Sequence, residues 1–438
     1  MQLGSLDQPL MILQRILRAV AIMAIAMAAA LAAQSAQASV WEINSDWTVA
    51  KEDQFGSWLE QMTNQPVSED GKIQSRLFEA GQPLYKLPVD CADFVYAARI
   101  IFASQNGLPF ASKVTFKGKL LDASRSSWDS TPKDQRLHAF LSDIVEGLGT
   151  WSLLRDTTPI TELSREHVKA GTILLAAQSV GHSWLVRKVR ATGIPELVFA
   201  SVPAREELFY RDGLPRGEAV YDKLPGGSDQ AGFRSFCIPG KSCPQATGAP
   251  KLAWKRHQDW RPMIFRMLQI RPEPLIESIG REIGNLCREA KGRVSLTYEA
   301  AAFKQKKNSC LVKGDYYNYS TNNRDSRFKE GFIDLWELWM TTNDLMDEAR
   351  ISGRGLPRNL TNVLDRIQQV FSDGIIDERA EDIVCPVKID AQTTLALRDI
   401  RQSSIAGRLS PDPNETVRAR WGLEPERGEC LPGRSPNR

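Results

Sequence analysis

Apolar and polar positions follow two different rhythms along this 438-residue chain, and the points where the rhythm changes divide it. Between residues 41 and 80, Phe55, Trp58, Leu59 and Met62 recur at helical spacing. The loop-like stretch "AGQPLYKLPVD" then leads into the strongest helical signal of the sequence. There Asp90 stands as N-cap, and Phe94, Ala98, Ile101 and Phe102 recur at i, i+4, i+7 and i+8. Asn106-Gly107 supplies the stop, with Pro109 just beyond. A second helix is expected over residues 134–148. The rhythm then shortens. "GTILLAA", "HSWLVRKV" and "ELVFAS" are apolar or alternating runs separated by turn residues, the spacing of an antiparallel meander. Residues 224–250, rich in Gly and Pro, read as an irregular linker. Helical spacing returns at 274–291, 328–351, 360–371 and 391–409.

The expected fold class is therefore α+β. A cysteine-bearing helix packed on an antiparallel sheet (39–223) is followed by the linker (224–250) and a mostly α-helical domain (251–438). The N-terminus adds a targeting element. Arg15 and Arg18 precede an unbroken apolar run from residue 19 to 33, and Ala36-Gln37-Ala38 follows with small residues. This is the pattern of a cleaved signal peptide over residues 1–38, and the run falls short of the roughly 18–20 residues of a membrane span. Since no later segment is apolar enough to span, no stable membrane insertion is expected after cleavage, and the expected location is the periplasm or the medium.

Composition is that of a globular protein, with 42% hydrophobic and 25% charged residues and a formal net charge of +3. Basic residues are scattered among acids, so no nucleic-acid partner is expected. There are seven cysteines, an odd number, on a chain expected in an oxidising compartment. Six of them fall into sequence neighbours, Cys237 with Cys243, Cys287 with Cys310 and Cys385 with Cys430, which is one of many possible connectivities. Cys91 is left over. No cysteine or histidine spacing suits zinc, and neither metal nor cofactor is expected.

A thiol in the first turn of a helix is drawn towards the thiolate by the helix dipole, and an imidazole on a neighbouring strand can take its proton. Of His138, His167, His182 and His257, only His182 opens an expected buried strand, in "VGHSWLVRKV". Taken alone, a cysteine before an apolar helix is also simply a small buried residue.

The run "DCADFVYAARIIFASQNGLPF", then "VKAGTILLAAQSVGHSWLVRKV" and "ELVFASVPA", resembles the NlpC/P60 branch of the papain-like cysteine peptidases over about residues 85–203. Asp90-Cys91-Ala92-Asp93-Phe94 stands at the family's nucleophile helix, Ala170-Gly171-Thr172 at its P-G-D turn, and Gly181-His182 at its base. The chain departs from the family at Ala92-Asp93, at Thr172, and at Phe199, where a third polar residue would orient the imidazole. Ser201, on the same strand face as Phe199, is the nearest polar substitute. Transglutaminase-like domains share the order of cysteine helix and H-x-W strand, but their aspartate has no counterpart between Asp156 and Asp212. The resemblance implies acyl transfer by Cys91, His182 and Ser201, with Tyr85, Asp93 and Trp184 near the oxyanion or substrate, on peptidoglycan or other peptides. The alternatives are a papain-like exported module with a degraded site that binds cell wall or a protein partner, and a transglutaminase-like acyltransferase.

Overall fold

The computed structural model describes residues 39–160, 162–176, 181–215, 232–238, 261–352, 358–372, 384–426, 428 and 430. The expected signal peptide and Cys243 lie outside them. Helix α1 (Val49–Thr63) is capped by Thr48 and followed by the short strand β1 (Lys72–Ile73). Helix α2 (Cys91–Gln105) is buried on every side from Cys91 to Ala103, as an all-round apolar helix must be. Around it stand the β2 (Ala111–Phe116) and β3 (Lys119–Asp122) hairpin, α3 (Arg136–Gly147) and α4 (Thr150–Asp156). Two of its polar interior groups, Tyr96 and Arg99, are partnered. Arg99 forms a bidentate pair with Glu52 at 2.6 Å and lies over the Trp47 ring. Tyr96 donates to the Asp156 carboxylate at 2.8 Å.

Against α2 lies an antiparallel sheet of seven strands in the order β1-β8-β7-β6-β5-β9-β4. Its remaining strands are β4 (Thr157–Pro159), β5 (Ile173–Ala176), β6 (His182–Val189), β7 (Pro195–Phe199), β8 (Leu208–Asp212) and β9 (Gly232–Phe236). The expected meander is present as β5–β6–β7 and continues into β8. Strand β9 is a correction, because Gly232–Phe236 was expected within a linker but pairs with both β4 and β5. Its short "GFRSF" lies among glycines and prolines, and the sheet thus runs past the expected boundary at residue 223.

Alternation along the strands gives the sheet two buried faces. Ile173, Leu175, Leu185, Val198 and Leu208 join the α2 core. Leu174, Ala176, Trp184, Val186 and Leu197 face the other way, onto Ile264 and Leu268 of α5 (Arg261–Leu268). Gly193 permits that approach, since at φ +80° a Cβ there would lie 2.1 Å from the Phe265 carbonyl oxygen.

The C-terminal part is helical, as expected, with longer elements: α6 (Leu275–Lys307), α7 (Lys313–Tyr319), α8 (Asn322–Ser352), α9 (Arg358–Phe371), α10 (Leu397–Ile405) and α11 (Val417–Arg420). The helix expected over 391–409 is shortened to α10 by the small β10 (Val387–Lys388) and β11 (Thr394–Leu395) pair before it. These elements, α7 apart, share a third core, which includes Ile283, Phe328, Ile367 and Trp421. Helix α6 is fixed to the sheet where Asn285 exchanges hydrogen bonds with the backbone of Asp212, at 2.7 and 3.3 Å.

The disulfides also differ from the neighbour scheme. Cys287 pairs with Cys385 and Cys310 with Cys430, each with Cα atoms 5.7 Å apart. Both bridges tie α6 or its exit to distant C-terminal segments, because the long helix carries its two ends away from each other. Cys237 is disulfide-bonded, and Cys91 is a free, buried thiol. Among the described residues no helix is long and apolar enough to cross a membrane, and no cluster of His, Cys, Asp or Glu could hold a metal ion.

Candidate functional site

Cys91 occupies the first position of α2, directly after an N-cap that closes on itself. The Asp90 carboxylate accepts from the Ala92 and Asp93 amides at 2.9 and 3.1 Å, and Asp93 accepts from the Asp90 amide at 2.9 Å. The residue is 7% exposed, and its thiol lies 3.8 Å from the Thr150 hydroxyl, at the start of α4. Ser183 turns its backbone and hydroxyl towards the sulfur, although that hydroxyl completes no regular hydrogen bond. Burial, followed by the Asp90 charge, pushes the Cys91 thiol up to about 11. A helix N-terminus favours thiolate, but here desolvation and a flanking carboxylate outweigh it.

His182 does not meet this thiol. It opens β6 and, by strand parity, projects from the face opposite Ser183 and Leu185. Its ring packs edge-on against Trp184 at 4.3 Å and Phe199 at 5.4 Å between centroids, within the α5 side of the sheet. Burial, reinforced by the positive Arg327 and Arg324 and opposed by Glu289, pushes the imidazole down to about 3. It is therefore a neutral ring in an aromatic setting. The structure brings His182, Trp184 and Phe199 together and leaves Cys91 across the sheet.

The other residues named from sequence divide in the same way. Phe199 does stand beside His182, where the resemblance expects an orienting residue, but it offers only a ring edge. Ser201 follows β7, and no hydrogen bond joins it to His182. Tyr85 is 40% exposed in the turn before α2, with the Lys86 amine over its ring. Trp184 is buried on the His182 face, away from Cys91. Asp93, expected near the oxyanion or substrate, is 4% exposed, and one of its oxygens has no partner. Burial and then the charge of Asp90 push its carboxyl up to about 8.

Sequence reading missed a second constellation, on the His182 side. Arg211 from β8, Arg288 and Glu289 from α6, and Arg324 and Arg327 from α8 meet at a small cavity beside Phe199, Phe209 and Tyr210. Each of these arginines reads alone as a solvated helix or strand position. The i, i+3 spacing of Arg324 and Arg327 was the one local signal that they share a face. No protein-family model, curated protein or solved structure matches this chain.

Proposed function

We propose that this chain is an exported recognition module built on the layout of a papain-like thiol peptidase, and that it does not cleave by a Cys91–His182 pair. The observation that carries the reading is that Ser183, not His182, faces Cys91. A thiol held at about 11 and an imidazole held at about 3, on opposite faces, form no ion pair near neutral pH. The apolar N-terminal run and the disulfides support export, since structural disulfides belong to oxidising compartments. Bacterial cell wall is the binding partner that the resemblance to NlpC/P60 domains suggests.

The test incubates the full mature chain and its Cys91→Ala variant with isolated cell-wall sacculi, following co-sedimentation and release of new amino groups. Both proteins should sediment with the wall, and neither should release amines. Release by the wild type alone overturns the reading in favour of a thiol hydrolase, and failure of both to sediment overturns the assignment of partner.

A further inference from the structure

The arginine-lined cavity has the chemistry of a binding site. It measures about 20 Å³, room for one or two water-sized atoms, and lies between β8, α6 and α8. Four guanidinium groups line it against two carboxylates, Glu289 and Asp70. Asp70 is occupied by Lys72, Ser68 and Ser295. Glu289 serves three arginines at once: Arg327 at 2.8 Å, Arg324 at 3.2 Å and Arg211 at 3.6 Å. Arg288 has no carboxylate of its own and donates to the Asn285 side chain at 2.8 Å. The Nε atoms of Arg211 and Arg288 are buried without a hydrogen-bond partner.

Two of the guanidinium groups are also held by their faces. Arg288 lies over the Tyr210 ring at 5.4 Å and Arg324 over Phe209 at 5.9 Å. A glycine within α6 makes room for one of them, since a Cβ at Gly292 would lie 2.8 Å from Arg324 Nη1. The side chains of Arg211 and Arg324 keep 13% exposure each, which places the cavity in reach of solvent.

We infer that this cavity takes one or two oxygen atoms of a small oxyanion, a carboxylate or phosphate presented from the solvent side, on the N–H groups of Arg288, Arg324 and Arg211. Planar guanidinium forks grip such groups bidentately, and four of them line this cavity against two carboxylates. The inference stands apart from the reading of Cys91, because no atom of that thiol's surroundings takes part.

The test is calorimetric titration of the full mature chain with sodium phosphate and with sodium acetate, each against sodium chloride at matched ionic strength. A saturable isotherm with phosphate or acetate and none with chloride sustains the site, and the tighter of the two identifies the oxyanion. Arg288→Gln, which breaks no ion pair with a described residue, should weaken that binding at least tenfold. Arg288→Lys, which keeps the charge but loses the fork, should give an intermediate loss and serves if the glutamine variant does not fold. An isotherm indistinguishable from chloride, or one unchanged in both Arg288 variants, overturns the inference.

Discussion

Thiol exchange at Cys91 separates a catalytic from a structural thiol without any assumption about substrate. Its pKa rises from an ordinary 9.0 to about 11, so at any pH below both values the thiolate is about 100-fold scarcer than in an ordinary thiol. A more basic thiolate is also more nucleophilic, with a Brønsted slope of about 0.4–0.5, which returns roughly eightfold. Ionisation alone thus leaves exchange about tenfold slower than in the unfolded chain at pH 7, and the 7% exposure of the residue slows it further. The assay follows 4,4′-dithiodipyridine reacting with the native oxidised protein from pH 6 to 10. The rate should climb about tenfold per pH unit and keep climbing past pH 9, where an ordinary thiol levels off. His182→Ala should leave the whole profile unchanged, since the ring lies on the far face of β6. A plateau between pH 6 and 8, collapsing in His182→Ala, is the signature of a thiolate–imidazolium pair and would refute the reasoning.

Three stability effects follow from buried groups. Folding raises the Asp93 carboxyl from 3.8 to about 8, so the native state holds a proton that the unfolded chain releases, and stability falls as pH rises from about 4 to 8. Asp93→Asn should flatten that slope in urea denaturation and be more stable at pH 7 by at most about 4 kcal/mol, whereas an unchanged slope would place the proton elsewhere. Burial opposes ionisation of Glu289, yet Arg327, Arg324 and Arg211 hold it down at about 2, so its contribution is present above pH 4.5 and lost as pH falls towards 2. Glu289→Gln should therefore cost about 3–5 kcal/mol at pH 7, read from the same denaturation curves. Replacing Cys310 and Cys430 together by serine opens a bridge spanning 120 residues and should cost about 2–4 kcal/mol, measured without reductant.

Much of the fold was legible wherever a local rule determined it. The Asp90 cap and the Asn106 stop placed α2 within its true ends, because capping depends on a few adjacent residues. The β5–β6–β7 meander followed from short runs between turns. Strand β9 was not legible, since its place between β5 and β4 is set by pairing across a long chain separation rather than by its own five residues. The disulfide pairs failed for a related reason. Sequence proximity is a poor guide to spatial proximity once a 33-residue helix intervenes, and α6 places Cys287 next to Cys385 rather than Cys310.

The candidate site was legible as an order of motifs but not as a geometry, and the difference is a single residue of parity. "GHSWLV" identifies a strand opening at His182 without stating which face the histidine takes. Pairing settles it, since Ile173 opposite Leu185 and Ala176 opposite His182 commit the even positions of β6 to the α5 side. A one-residue slip would bring His182 round to Cys91, but it would flip every other side chain of the strand as well. Leu185 would leave the α2 core, where it is fully buried, and Trp184 would be forced into its place. Arg187 would lose its 2.8 Å bond to Asn64. At about 1.5–3 kcal/mol for each large apolar side chain misplaced, the slip costs as much as a small domain's entire stability. No local adjustment of β6 therefore assembles the dyad, and the polar groups that surround the Cys91 sulfur are the Ser183 and Thr150 hydroxyls and the flanking Asp90 carboxylate.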